Sequence, residues 1–203
     1  MTIGGQRASR ERRIVLAAEP LAEPPTALRP WRESDLEQLV AACQDPEIVR
    51  WTRVPARYGE AEARAYLLQR YDAIAAGQAA PFAIVAADDD RRLLGSISLM
   101  RIAWEHGRAE VGYWVARPAR GRGHATRAVR LICAWGFQAL GLERIDLLAA
   151  TGNPASQRVA ERAGFSREAV LRSYMRGTYG RQDMVAFGLL VSELQPARRI
   201  QAS

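Results

Sequence analysis

Arg117-Pro-Ala-Arg120-Gly121-Arg122-Gly123-His124-Ala125 is the stretch around which the rest of the chain is organised. Before it, Glu110-Val-Gly-Tyr-Trp-Val115 reads as a strand, and after it Ala125 to about Ala139 reads as a helix. A strand that turns through glycines into a helix start is suited to holding phosphate. Its free backbone N–H groups point outward, the helix dipole adds partial positive charge, and glycine lets a ligand approach the main chain. No acidic residue lies between Glu110 and Glu143, whereas Arg117, Arg120, Arg122, Arg127 and Arg130 all do. A guanidinium donates two parallel hydrogen bonds to one anion, which fits the same purpose. The alternative is an exposed basic connection between strand and helix. Neither common nucleotide fingerprint fits the stretch: it lacks Gly-x-x-x-x-Gly-Lys-Ser/Thr, and its glycines do not match Gly-x-Gly-x-x-Gly.

Working outward, the elements follow from period and punctuation. Thr26 to Trp31 is expected as a short first strand limited by Pro30. Ser34, with Glu37 completing a capping box, is expected to start a helix from Asp35 to Cys43. Asp45-Pro46 caps a short second helix, and Gly59 introduces a longer one from Glu60 to Ala76. Phe82–Ala87 and Leu93 to about Ile102 read as hairpin arms around the acidic turn Asp88-Asp89-Asp90, with a turn at Glu105-His106-Gly107 before the central strand. Gly112 in that strand marks either a bulge or a close approach by ligand. Beyond the loop, Ala125, Ala128, Val129, Ile132, Trp135, Gly136 and Ala139 form one helical stripe, and Gly141 closes the helix. Arg144–Ala150 is then a strand reached through a helical crossover, hence parallel to its predecessor. Asn153-Pro154 opens a further helix that Gly164 ends, and Phe165–Tyr174 with Gln182–Val191 reads as a closing hairpin.

A chain of 203 residues, 48% hydrophobic and 25% charged, suits one soluble domain. Residues 1–23, with four arginines and Pro20 and followed by Pro24 and Pro25, are expected to be a flexible arm, 24–192 the domain and 193–203 a fraying tail. No apolar run is long enough to cross a bilayer and the start lacks a signal peptide's apolar stretch, so the expected location is the cytoplasm, with no membrane partner. Two cysteines (Cys43 and Cys133) and two histidines (His106 and His124) leave little from which to build a metal site, and none is expected. The net charge of +7 and pI near 10.2 raise nucleic-acid binding as a possibility. Every one of the 29 cations is arginine, however, and outside the loop they are scattered among acids, a bias that fits a GC-rich genome better than a nucleic-acid partner.

The loop resembles the acyl-coenzyme A loop of the GNAT superfamily of N-acyltransferases, Arg/Gln-x-x-Gly-x-Gly/Ala, which Arg120-Gly121-Arg122-Gly123-His124-Ala125 satisfies position by position. Asn153-Pro-Ala-Ser156, followed after a helix by Gly164-Phe165, is similar to the superfamily's other signature at the right spacing. Leu28-Arg29-Pro30, Glu110-Val-Gly-Tyr113-Trp114 and Asp183 resemble the ribosomal-protein alanine/serine N-acetyltransferase (RimJ/RimL-like) branch, and the likeness spans about Thr26 to Ser192. The resemblance implies an α+β fold: a central, mostly antiparallel sheet of six to seven strands, one parallel pair splayed at the cofactor site, and helices on both faces. It implies acetyl-CoA or another acyl-CoA as co-substrate, with its pantetheine arm on the backbone of Trp114 and Val115 and its pyrophosphate on Arg120, Gly121, Arg122, Gly123, His124 and Ala125. Asn153 and Ser156 would also contact it, with the Ser156 hydroxyl near the sulfur.

Direct transfer to a primary amine needs a base for the ammonium and a donor for the thiolate. Glu110, an acid in an otherwise apolar strand, occupies the place some superfamily members use for the base, and Ser156 is the candidate donor. Trp51 and Tyr174 are the candidate acceptor contacts. Two departures from the resemblance stand out: Ala160 falls where many relatives carry a tyrosine as the acid, and Met175 where some alanine/serine acetyltransferases carry a glutamate. The expected activity is acetyl transfer to a protein or peptide N-terminus by a monomer or homodimer. The alternatives are a small-molecule amine, another acyl group such as succinyl, or a non-catalytic acyl-CoA-binding module.

Overall fold

The strand that runs into the glycine loop lies inside an eight-stranded sheet in a computed structural model that describes residues 14–177 and 180–194. In chain order the elements are β1 (Leu21–Glu23), β2 (Thr26–Arg29), α1 (Leu36–Cys43), α2 (Pro46–Trp51), α3 (Glu60–Ala75), β3 (Ala79–Ala86), β4 (Leu93–Ala103) and β5 (Arg108–Val115). Helix α4 (His124–Leu140), β6 (Arg144–Ala150), α5 (Pro154–Ala163), β7 (Ser166–Gly177) and β8 (Gly180–Leu190) follow. The spatial order is β1-β2-β3-β4-β5-β6-β8-β7. Every neighbouring pair is antiparallel except β5 and β6, which α4 joins as a parallel crossover.

The sheet carries helices on both faces, as the apolar pattern requires. On one face α4 buries Ala128, Val129, Ile132, Cys133, Trp135, Gly136 and Phe137. Trp135 meets Phe82 of β3 edge-on at 5.1 Å. Gly136 lets the helix approach closely, since a Cβ there would lie 2.6 Å from Leu99 Cδ1. Ala139, expected on that stripe, is exposed. Helix α5 joins the same core through the fully buried Ala160. On the other face Leu36, Leu39 and Cys43 of α1 and Ala63 and Leu67 of α3 form a second cluster with Trp31, Tyr58, Ala83 and Val85. The Cys43 thiol is pushed up to about 12 by this burial, so it packs as a small apolar group.

One buried ion pair ties this second layer to the sheet. Arg29 Nη1 and Nη2 donate to the two Asp35 carboxylate oxygens at 2.8 and 2.7 Å, with both side chains nearly inaccessible. The remaining guanidinium donors reach the Asp90 and Pro30 carbonyls. Removing one partner of such a pair costs about 3–5 kcal/mol, because a charge is left buried alone. Asp35 also accepts the amide of Arg32, so a 3₁₀ turn over Glu33–Asp35 precedes α1 and the expected Ser34 cap is displaced. The caps at Asp45 and Asn153 form as expected, accepting from the amides of Glu47 and Ser156.

The beginning of the chain departs most from expectation. Leu21–Glu23 pairs with Thr26–Leu28 as an added strand, and Ile14 is buried in the main core, so residues 14–23 belong to the fold and not to a flexible arm. Residues 1–13, most of the expected tail and Thr178–Tyr179 lie outside the described residues. Among the described residues no helix is long and apolar enough to cross a membrane, and no group of three metal-ligating side chains is placed to hold an ion.

Candidate active site

After β5 a 3₁₀ turn over Arg117–Ala119 leads into the loop, where Gly121 (φ 75°) and Gly123 (φ 80°) take left-handed backbone conformations. These bring Gly123 to the start of α4 and leave a run of amides with nothing to donate to. Among the described residues no carbonyl or side chain accepts from the N–H groups of residues 121–126; the first bond of α4 runs from Arg127 N to Gly123 O. Nothing lies within 4 Å of a Cβ placed on Gly121. That is the open, amide-lined concavity expected for an anion.

The arginines of the loop divide into two groups. Arg122 and Arg117 are exposed without an acidic partner among the described residues. The others brace the loop. Arg127 Nη1 donates to the Arg122 carbonyl at 3.1 Å, and both Arg127 and Arg130 approach Glu23 of β1, at 3.9 and 3.5 Å. Arg120, expected on phosphate, donates from Nε to the Val115 carbonyl at 2.9 Å and sets Nη2 2.8 Å from Asp45 Oδ2. The structure therefore places it as a strut between the loop and the N-terminus of α2. His124 turns its ring inward against Thr26 Oγ1, at 2.8 Å. Burial, then the charges of Arg127, Arg122 and Arg92, lowers its pKa, so the neutral ring is favoured and only its amide faces the loop.

Beside the loop the sheet opens. Parallel pairing between β5 and β6 covers only Arg108↔Arg144, Ala109↔Ile145 and Glu110↔Asp146, although both strands continue. Backbone direction along β5 is set by Ala116 N donating to Leu94 O, so the even-numbered residues bond to β4 and the odd-numbered ones face the opening. Trp114 is thus turned the wrong way for a pantetheine contact: its carbonyl lies against Gly95 of β4. Tyr113 turns its main-chain N–H and carbonyl to the opening instead, and Val115 its N–H, the Val115 carbonyl being held by Arg120. The Trp114 ring packs on the second core cluster. Gly112 is explained without a ligand, because a Cβ there would lie 2.7 Å from Met100 Cε.

Alternation separates the two catalytic candidates. Ser156, in the first turn of α5, has its hydroxyl 3.0 Å from that of Tyr113, on the α4 side of the sheet. Burial, partly offset by the bond to Ser156, pushes the Tyr113 phenol up to about 12. The sequence marks Tyr113 only as part of the likeness to the ribosomal-protein branch and gives it no role in the site. Glu110 shares the opposite side with Gly112 and Trp114, where Arg101 Nη1 donates to its Oε2. Glu110 Oε1 has no hydrogen bond among the described residues, and the side chain is 17% exposed.

Helix α2 spans the mouth of the opening. Its first end is held to the loop by Asp45–Arg120, and at its other end the Trp51 ring lies over Gly152, 3.5 Å from where a Cβ would stand. Trp51 Nε1 donates to Glu47 at 2.9 Å, and the Arg50 guanidinium covers the ring at 4.6 Å. Next to it is a cleft of about 570 Å³ lined by Arg53, Arg101, Tyr174, Met175 and Arg176. Tyr174, expected as an acceptor contact, is therefore joined there by Met175 and by the arginine that holds Glu110.

Comparison with known proteins agrees with this geometry. The acetyltransferase (GNAT) domain family matches residues 26–166. The chain is 30% identical over 165 residues to an uncharacterized N-acetyltransferase, p20, of Bacillus licheniformis, covering 80% of this chain and 92% of that protein. It is 33% identical over 96 residues to the ribosomal-protein-serine acetyltransferase of Escherichia coli (strain K12), covering 47% of this chain and 52% of that protein. The solved structure of a spermidine N-acetyltransferase from Vibrio cholerae in complex with CoA and spermine superposes with a TM-score of 0.72 at 22% identity, covering 85% of this chain and 98% of that one; the likeness is one of fold.

Proposed function

This chain belongs to the GNAT acetyltransferase family, and from that premise we propose that it transfers an acetyl group from acetyl-CoA to a primary amine, by preference the α-amine of a peptide or protein N-terminus. One observation carries the reading. The sheet stops pairing beyond Glu110 next to a loop whose amides have no acceptor among the described residues, and an extended amide-bearing arm ending in a pyrophosphate is complementary to both. The relatives include a ribosomal-protein-serine acetyltransferase and, among solved folds, an enzyme in complex with CoA.

Acetyl-CoA supplies an activated thioester. The chain's residues would do the rest. The amides of residues 121–126 and the free guanidinium of Arg122 hold the pyrophosphate, while the main chain of Tyr113 and the N–H of Val115 pair with the arm. Glu110 takes the ammonium proton at Oε1, the oxygen that Arg101 leaves free. The Tyr113–Ser156 hydroxyl pair faces the other side of the opening, where it donates to or orients the leaving thiolate. A phenol near 12 stays protonated at neutral pH, so a proton is always available in the pair. The preference for an α-amine rests on protonation: reference values of about 7.7–8.0 against about 10.4 for lysine leave far more neutral nucleophile.

The test is thiol release from acetyl-CoA with matched peptides, one set with a free N-terminus and no lysine, the other N-terminally blocked with one lysine. Faster reaction of the first set is expected. Equal rates would remove the α-amine preference, and CoA binding without turnover of any amine would leave a non-catalytic binding module.

A further inference from the structure

The acceptor cleft is basic, and its backbone is built to make it so. Arg101 and Ser173 are the two non-glycine residues with left-handed backbone among those described, at φ 53° and 51°. Each sits at an irregularity in a strand that frames the cleft, between Met100 and Ala103 in β4 and between Leu171 and Met175 in β7. Non-glycine residues avoid this region unless the surroundings impose it, and such bulges re-aim side chains. Here they bring Arg101 from one strand and Tyr174, Met175 and Arg176 from the other around one space, with Arg53 following α2. The β7 bulge is fixed from β8: the Ser173 amide donates to Asp183 Oδ1 at 2.7 Å, and Arg181 donates to the Ser173 carbonyl at 2.6 Å.

Charge at this site is one-sided. Arg101 is paired with Glu110, the acid assigned above to proton abstraction. Arg53 and Arg176 have no acidic partner among the described residues, and Asp183, the acid on the neighbouring strand, is engaged with backbone. Met175, in the same cleft, adds no charge. Two free guanidinium groups in an open cleft match carboxylates, which they can grip with paired hydrogen bonds, and they repel a polycation.

We propose that the amine acceptor is anionic: a primary amine with one or more carboxylates within a few bonds of the reacting nitrogen, held by Arg53 and Arg176. The best-fitting form is the N-terminus of an acidic peptide segment; a free acidic amino acid has the same chemistry. The proposal rests on the acetyl-transfer reading above and narrows its substrate.

The experiment measures acetyl-CoA-dependent thiol release by the full chain with five acceptors. Three are peptides sharing one N-terminal residue, followed by Asp-Glu, Asn-Gln or Arg-Lys; the others are free glutamate and spermidine. The expected result is a kcat/KM for the acidic peptide about tenfold or more above the neutral one, falling as salt screens the attraction over ~8 Å. The double variant Arg53→Glu/Arg176→Glu should erase or invert that order, with the KM for acetyl-CoA unchanged. Free glutamate outpacing every peptide would identify the small-molecule source of the same chemistry. Preference for the basic peptide or spermidine, or an acidic preference that survives the charge reversal, would overturn the proposal and leave acetyl transfer standing. No thiol release with any acceptor would overturn both.

Discussion

The hydroxyls of Tyr113 and Ser156 lie 3.0 Å apart, joining the strand that enters the glycine loop to the first turn of α5. They meet where β5 and β6 no longer pair, so the two hydroxyls form a unit at the edge of the opening. Residues that act as a unit give non-additive losses when removed. Tyr113→Phe and Ser156→Ala should each lower kcat by roughly tenfold to a hundredfold, below the full range of general-acid effects because a thiol leaves readily. The double variant should be no worse than the poorer single one, as a double-mutant cycle on kcat would measure. Multiplicative losses would mean that the two act separately.

Glu110 is the acid that alternation places toward the arginine cleft. Glu110→Gln should reduce turnover by ~10²–10⁴-fold and move the pH–rate profile to higher pH, since the amine must then lose its proton to water. Affinity for CoA should survive. Steady-state rates between pH 6 and 10 measure this, and near wild-type turnover at neutral pH would remove Glu110 from the chemistry.

The loop tolerates little at Gly123. Its φ of 80° costs a branched L-residue about 1–2 kcal/mol, and a Cβ there would stand 2.5 Å from Arg127 Nη1, the group that braces the Arg122 carbonyl. Gly123→Val should weaken CoA binding by more than tenfold in calorimetry. Arg122→Ala should weaken it less and flatten its dependence on salt. Unaltered affinity in Gly123→Val would refute the assignment of the loop.

His124 gives the fold an acid-sensitive point. Its pKa is lowered in the folded chain, so between that lowered value and the ordinary one near 6.5 the unfolded chain binds the extra proton. Stability from this group is complete above about 6.5 and is lost as pH falls through the folded value. Melting temperatures of His124→Asn should therefore decline less than those of the wild type as pH drops below 6.5. Parallel curves would exclude His124 as the source.

Much of this was legible because it is local. A glycine pair between strand and helix, Asp45 before Pro46 and Asn153 before Pro154 declare themselves within a few residues. What the sequence hid depends on partners far along the chain. Ser34 loses its capping place because the Asp35 carboxylate is turned to Arg29 and the Arg32 amide, and Arg120 is drawn from the loop by Asp45. Prolines 20, 24 and 25 mask β1, whose pairing with β2 overrides local preference. Tyr113 and Glu110 look alike in a strand until the helices that cover each face are known. The left-handed turns at Arg101 and Ser173 leave no mark in residue type.

A sheet whose central pair stops after three rungs presents strand edges with which an extended ligand can pair as a strand would. Folding and donor occupancy are then thermodynamically linked. A ligand bound only by the folded chain adds about 2.7 kcal/mol at a hundred times its dissociation constant, a large share of a typical domain's stability. Resistance to heat and to proteolysis should accordingly rise and fall with the supply of acyl donor, making the persistence of the polypeptide itself a readout of that supply.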